Sequence, residues 1–338
     1  MRFLLLPFSW IYAIGIFIRN LLFDKGILKS NIVKKSIGIG NLSMGGTGKT
    51  PLTQYLAQWL IENDQIVYIL SRGYKRSTNQ NILVKESHHS HEVGDEPLMY
   101  KKRFKNKINV LVSKNRWLGS LDAKKNNSNA FLLFDDVYQH RKVVTDFSII
   151  TTPYNDLFDD DILLPAGRLR EPKRNVNRAS CILVTRCPEN MSQDKRTYIK
   201  DKLSKYNKPL FFSSISYEPF ECFGEKIRKI SSVLLVTGIA KNENLIAHIE
   251  NTYETTTISY PDHYRYTMDD IKDIHQKFNS FASEHTIILT TEKDMVRMLE
   301  FEEYIDTNKL PMYYQPISID VHNEKEFTSL IKEYVGKI

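Results

Sequence analysis

Cysteine is scarce in this chain: three in 338 residues, Cys181, Cys187 and Cys222, at spacings that form neither a paired metal-binding set nor an even set of bridges. A disulfide framework is therefore excluded, and a reducing cytosolic setting is the default. No internal repeat or low-complexity tract is present, and Lys124 to Asn129 reads as a solvated turn. No stripe interleaves basic and aromatic residues in the way a base-stacking surface requires, so nucleic acid is not the expected partner despite a net charge of +7. That charge still asks for an anionic partner, either an acidic lipid surface or a phosphorylated substrate. Hydrophobic content of 41% and charged content of 26% belong to a globular protein, and the length suffices for two domains, each with its own core.

No uncharged run reaches the roughly 20 residues that a spanning helix needs. The longest, Phe3 to Ile18, lies between Arg2 and Arg19 and holds Trp10 and Tyr12. No small-residue cleavage site follows it, which argues against a signal peptide. Arg2, Arg19, Lys25, Lys29, Lys34 and Lys35 surround the segment with positive charge. The preferred reading is a helix lying in or along an inner leaflet with cations at the headgroups, with a single-pass anchor and a buried core helix as alternatives.

The rest of the chain is organised around Gly40 to Pro51, which contains Gly45-Gly46-Thr47-Gly48-Lys49-Thr50. A short apolar strand, Lys35 to Ile39, precedes it, and Leu52, Tyr55, Leu56, Trp59 and Leu60 recur behind it at helical spacing. Strand, glycine-rich turn and helix are the setting of a phosphate-binding loop, in which backbone N–H groups and the helix N-terminus converge on one anion. Lys49 is then expected to reach the β- and γ-phosphates and Thr50 to ligate Mg²⁺. One departure stands out: where the usual pattern has its first glycine, this chain has Ser43, and Gly45 and Gly46 are expected to supply the freedom instead.

Further apolar runs punctuate the chain at Ile66 to Leu70, Asn81 to Val84, Ile108 to Val112, Ala130 to Phe134, Phe147 to Thr151, Ser180 to Val184 and Leu210 to Ile215. Helical segments alternate with them, near Asn115 to Lys125 and Ser192 to Leu203, which predicts a parallel doubly wound sheet. Residues at the carboxyl ends of such strands are the candidates for ligand contact. Asp135 and Asp136 end one strand and are placed to hold Mg²⁺ directly or through water. Ser71 to Arg76 is either a ligand loop or an ordinary solvated one. Asp95 is either the cap of a helix beginning near Pro97 or a catalytic carboxylate. His140 is either a ligand-side or a structural histidine. The arginines of Leu164 to Pro172 suit phosphate or carboxylate recognition, or simple solubility. After a loosened stretch at Pro219 to Arg228, a second αβ series begins at Ser232 to Thr237, with a helix over Asn242 to Glu250 and a strand at Ile287 to Thr291. His263 falls in its loop between aromatics and an aspartate, where functional and structural roles are equally open.

Taken in order, GGTGKTP (Gly45 to Pro51), SRGY (Ser71 to Tyr74), VGDEP (Val93 to Pro97), FDD with QHR (Phe134 to Arg141), PAGRLREP (Pro165 to Pro172), DHY (Asp262 to Tyr264) and TEKD (Thr291 to Asp294) resemble the tetraacyldisaccharide 4'-kinase family. The resemblance covers nearly the whole chain, apolar amino terminus included. Val137 and Tyr138 stand where the family's DDGFQHR segment has Gly and often Phe, substitutions expected to alter packing rather than chemistry.

The resemblance implies an ATP-dependent lipid kinase, with ATP and Mg²⁺, that phosphorylates the 4'-hydroxyl of an acylated glucosamine disaccharide 1-phosphate at the cytoplasmic face of the inner membrane. It implies Asp95 and His263 as a catalytic pair with Lys49, and Thr50, Glu96, Asp135 and Asp136 around the metal. Gly45 to Thr50 with Lys293 and Asp294 would bind nucleotide, and Arg72, Tyr74, Arg168 and Arg170 would hold the disaccharide. The expected fold is α/β: a P-loop NTPase-like, doubly wound, mostly parallel sheet over residues 31–218, a smaller α/β domain over 219–338 and a membrane-associating helix over 1–30. The alternative is a nucleotide switch or metal-insertion GTPase acting on a protein partner, which would need neither the apolar amino terminus nor the GDEP and DHY pair.

Overall fold

The computed structural model describes residues 2–281 and 285–336. The chain enters α1 (Leu6–Asp24) with a proline in its first turn, where the missing N–H has no helical partner to lose. β1 (Asn31–Gly40) runs into the glycine-rich loop, and α2 (Lys49–Glu62) begins directly behind it. There follow β2 (Val67–Ser71), the short edge strand β3 (Ile82–Leu83), the single turn α3 (Ser90–Val93), α4 (Asp95–Phe104), β4 (Ile108–Val112), α5 (Arg116–Asn126) and β5 (Phe131–Phe134). β6 (Val143–Pro153), β7 (Cys181–Cys187), α6 (Gln193–Ser204) and β8 (Leu210–Tyr217) continue the winding. Asn115 and Ser192 each cap the helix behind them by accepting backbone N–H bonds, which is why those helices start where they do.

Among the described residues these strands form one nine-stranded sheet, in which β5, β1 and β6 lie side by side and parallel. β2, β5 and nearly all of β7 are buried along their length, as continuous apolar runs covered on both faces must be. β9 (Glu221–Cys222), β10 (Ser232–Thr237), α7 (Glu243–Glu250), β11 (Glu254–Ser259), α8 (Met268–Asn279), β12 (Thr286–Thr291), α9 (Glu292–Met298), α10 (Glu302–Thr307) and β13 (Met312–Gln315) build a second unit. Its five strands run in the order β11, β10, β12, β13, β9.

The end of the chain corrects the expected single domain at 219–338. β14 (Ile317–His322) pairs antiparallel with β8, Ile319 opposite Ile215, and so joins the larger sheet. α11 (Glu324–Val335) follows it there and buries Phe327 and Ile331 in the core that also holds Ile37, Leu52 and Phe147. The smaller sheet is therefore confined to 221–315. Strand pairing is non-local, and alternation along the sequence does not say which sheet a strand will join.

α1 is built the wrong way round for a water-soluble helix. Its buried residues are polar, Ser9 and Asn20, while Phe8, Trp10, Ile11, Ile14 and Ile18 are exposed, Trp10 and Ile11 by 68% each. Polar contacts dock it. Ser9 Oγ donates to Leu163 O at 3.0 Å and accepts from Ala166 N at 3.0 Å, and Tyr12 Oη donates to Arg170 O at 2.9 Å. Arg19 turns inward to Glu171 at 2.7 Å rather than standing out as a headgroup cation.

Candidate active site at the carboxyl ends of the parallel strands

The loop after β1 is fastened on both sides. Asn41 Nδ2 donates to Thr47 Oγ1 at 2.7 Å, and Thr185 Oγ1 donates to Thr47 O at 3.0 Å. Met44 N and Arg170 N bond to Arg168 O and Leu42 O, both at 2.7 Å, so the PAGRLREP segment lies along the loop as a short ladder. Ser43 sits in that ladder, paired with Leu169, where no left-handed backbone is called for. The freedom lies at Gly45, φ 100°, and at Gly48, φ 81°, the cap of α2. A Cβ on Gly48 would also meet the Thr185 side chain at 3.0 Å, a tight contact added to the strain of the left-handed backbone.

Three carboxylates and two lysines crowd the mouth of this loop. Thr50, in the first turn of α2, donates to Glu96 Oε1 at 3.0 Å, and Lys293 from α9 reaches the same oxygen at 2.5 Å. Lys49 Nζ lies 3.6 Å from Asp136 Oδ1, and Arg170 grips both oxygens of Asp136 at 2.9 and 3.2 Å. Burial raises the Asp136 carboxyl, but Lys49 and Arg170 outweigh it and hold the group well below its usual range. Asp135 shows the opposite balance. Burial and the neighbouring charges of Glu96 and Asp136 push it up to about 7. Its Oδ2 accepts from Tyr100 Oη at 3.2 Å, whereas Oδ1 is buried without a partner. An orphaned carboxylate oxygen among like charges fits a divalent cation. Among the described residues no three His, Cys, Asp or Glu side chains converge as an all-protein cage. Mg²⁺ needs no such cage, since it keeps several waters and few carboxylates.

Asp95, the neighbour of Glu96, points into the second unit. α4 begins at Asp95 itself, with Gly94 as its cap, so the carboxylate is not spent on capping. Its Oδ2 lies 3.3 Å from His263 Nδ1 and accepts from Arg297 Nε at 2.9 Å and Nη2 at 2.6 Å. Burial raises the Asp95 carboxyl, while His263 and Arg297 together bring it below its ordinary value. His263 is held in a left-handed turn, φ 58°, by a bond from its N–H to Gly238 O at 3.2 Å, and Tyr74 packs on its ring at 5.4 Å between centroids.

The family model described as tetraacyldisaccharide-1-P 4'-kinase (LpxK) matches residues 1–336. The chain belongs to that family. Proteins named tetraacyldisaccharide 4'-kinase from Flavobacterium psychrophilum and Bacteroides fragilis are 40% and 36% identical to it, over 99% and 98% of this chain and 97% and 92% of theirs. A crystal structure of LpxK from Aquifex aeolicus in complex with ATP superposes with a TM-score of 0.75 at 28% identity, over 99% of each chain. The protein is thus an ATP-dependent kinase of a lipid A precursor, with the expected α/β fold and apolar amino-terminal helix, and the switch GTPase alternative finds no support.

Three residues expected in the kinase's ligand sites are occupied otherwise, Arg170, expected on the disaccharide, by its pairing with Asp136, and Asp294 and Arg168 by partners of their own. Asp294 is fully buried and accepts from Gly238 N at 2.9 Å, Thr291 Oγ1 at 2.7 Å and Arg297 Nη1 at 2.8 Å, which leaves nothing for a nucleotide base. Arg168 forks onto Asp156 and reaches Asp161 at 3.1 Å, so it braces its own loop instead of holding sugar. Lys293 faces Glu96 and the acidic cluster. Arg72 and Tyr74 remain exposed at the edge of the site. Val137 is accommodated by glycine elsewhere: a Cβ on Gly38 would meet its Cγ1 at 2.9 Å, so the change is one of packing.

Two features escaped sequence reasoning. One is Arg297, four residues beyond Lys293 on α9 and hence on the same helical face, a spacing that could have revealed it. The other is a cavity of about 390 Å³ between the end of α1 and the loops after β4 and β5. Arg19, Lys114, Arg116, Gln139, His140 and Arg141 line it. Arg116 is 2% exposed, and its Nε and the Gln139 Oε1 lack partners. Burial, with Arg116 and Arg72 nearby, lowers His140 to about 4, so it stays neutral there.

Proposed function

We propose that the nucleotide and the lipid headgroup meet between the glycine loop and Asp95. Gly45 to Gly48 and the start of α2 cradle the phosphates of ATP, with Lys49 and Arg170 neutralising charge as it moves onto the leaving oxygen. Thr50, Asp135 and Asp136 would hold Mg²⁺, with Glu96 behind Thr50; bound there, the ion neutralises the β- and γ-oxygens. The Asp95 carboxylate, oriented by His263, accepts the proton of the sugar 4'-hydroxyl as that oxygen bonds to the γ-phosphorus and the bond to the β–γ bridging oxygen breaks. One observation carries this reading. Adjacent carboxylates on the first turn of α4 look opposite ways, Glu96 to Thr50 of the nucleotide loop at 3.0 Å and Asp95 to His263 at 3.3 Å.

The exposed apolar face of α1 lies in the cytoplasmic leaflet of the inner membrane while its polar stripe stays docked on the protein, a monotopic rather than spanning arrangement. Stripping bonds from Ser9 to Arg19 would be the cost of spanning. The cationic cavity under α1 then takes the phosphate that the disaccharide already carries, with Arg72 and Tyr74 along the sugar. The test is transfer of labelled γ-phosphate from Mg·ATP to an acylated glucosamine disaccharide 1-phosphate in detergent micelles. Label reaching the lipid with the native protein and not with Lys49→Ala is the expected result; free phosphate released without lipid labelling would overturn the reading.

A further inference from the structure

The Cβ–Cγ torsion of an aspartate is broad and soft, so an unrestrained carboxylate swaps its two oxygens readily. At Asp95 the swap is blocked. Three donors, Arg297 Nε, Arg297 Nη2 and His263 Nδ1, converge on Oδ2 at 2.9, 2.6 and 3.3 Å, and none of the described residues donates to Oδ1. Arg297 is itself immobilised. Its side chain is 5% exposed, Nη1 donates to Asp294 Oδ1 at 2.8 Å and to Gly238 O at 3.1 Å, and Asp294 is fixed by Gly238 N and Thr291. The anchor therefore belongs to the smaller sheet, through the end of β10 and the start of α9, while Asp95 belongs to the larger one.

We infer that Arg297 is a positioning residue that decides which oxygen of Asp95 works: Oδ2 is pinned by the second unit, and Oδ1 is presented to the acceptor hydroxyl. The inference rests on the reading of Asp95 as the base. It makes the base competent only while the two sheets are packed together, because the carboxylate is carried by one and oriented by the other. His263 alone does not suffice for this: it meets Asp95 at the longest of the three distances and shares its oxygen with Arg297.

The test compares Arg297→Lys and Arg297→Gln, each alone and combined with Asp95→Ala, by kcat, by KM for ATP and for the disaccharide lipid, and by ATP binding. Arg297→Lys keeps a cation in the buried position beside Asp294 but cannot fork, so it reports on positioning even where Arg297→Gln fails to fold. The expected result is a fall in kcat of about a hundredfold, the scale of a misplaced catalytic group, with both KM values and ATP affinity within about threefold of the parent. In the Asp95→Ala background the Arg297→Lys change is expected to cause no further loss, since there is no carboxylate left to place. A near-parental kcat for Arg297→Lys, or an equal further loss in the Asp95→Ala background, would overturn the inference while leaving Asp95 as the base. Near-parental kcat for Asp95→Ala itself would instead overturn the reading on which it rests.

Discussion

α1 and α11 both pack on the larger unit, α11 against its sheet and α1 on the loop that carries Leu163 to Glu171, and they are held there by opposite means. α11 turns Phe327 and Ile331, both fully buried, into the core, and its exposed residues are largely charged or polar. α1 turns Ser9, Asn20 and the head of Arg19 inward, and shows Trp10, Ile11, Ile14 and Phe17 to the outside. The first arrangement is what water enforces. The second is stable only if the outer medium is not water, or if hydrogen bonds to the body are enough to hold the helix until a bilayer covers it. On the reading proposed above, the two helices differ because one completes a core and the other would bring the kinase to a lipid substrate held in a membrane.

That contrast can be broken at either end. Phe327→Ala removes a fully buried ring from the larger sheet's core and is expected to destabilise the protein by about 4 kcal/mol, read from urea unfolding. A double substitution on α1, Ile11→Lys with Ile14→Lys, touches side chains that are 68% and 59% exposed and should leave that unfolding curve nearly unchanged. Its effect is expected in sedimentation with anionic vesicles, where loss of two inserted side chains at about 2 kcal/mol each lowers partitioning by at least a hundredfold. Unaltered vesicle binding would show that α1 is not the membrane contact. Ser9→Ala sharpens the comparison with the smallest effect. It deletes the hydroxyl that bonds Leu163 and Ala166, at an expected cost of about 1 kcal/mol, seen as faster amide exchange in α1 with little change elsewhere.

Much of the candidate site was legible because its parts are local. The glycine loop and the Asp135–Asp136 pair are short runs at the ends of apolar strands, which places them at one edge of a parallel sheet, and the Asp95–Glu96 pair is a short acidic run at a helix start. The misreadings have a common cause. Arg168 and Asp294 are charged residues in suggestive motifs, yet their fate depends on partners the motif does not contain: Asp156 and Asp161 for one, Gly238 and Arg297 for the other. Nothing in the alternation of apolar runs announces α9, whose interior is buried throughout from Asp294 to Met298, and Arg297 was hidden with it. The cationic cavity was invisible for a similar reason, since basic residues are common and only packing shows which lack a partner. The inverted packing of α1 could be guessed from its composition but not its mooring, because Ser9 and Leu163 are 154 residues apart.

The most direct measurement is the steady-state kinetics of Asp95→Ala with Mg·ATP and the acylated disaccharide 1-phosphate. If the carboxylate held by His263 and Arg297 takes the proton of the 4'-hydroxyl, kcat falls by about a thousandfold, within the range of general-base contributions, while KM for ATP and for the lipid stay within a few-fold of the parent. A variant that retains near-normal kcat would contradict this, and would leave Asp95 as no more than a link between the two sheets.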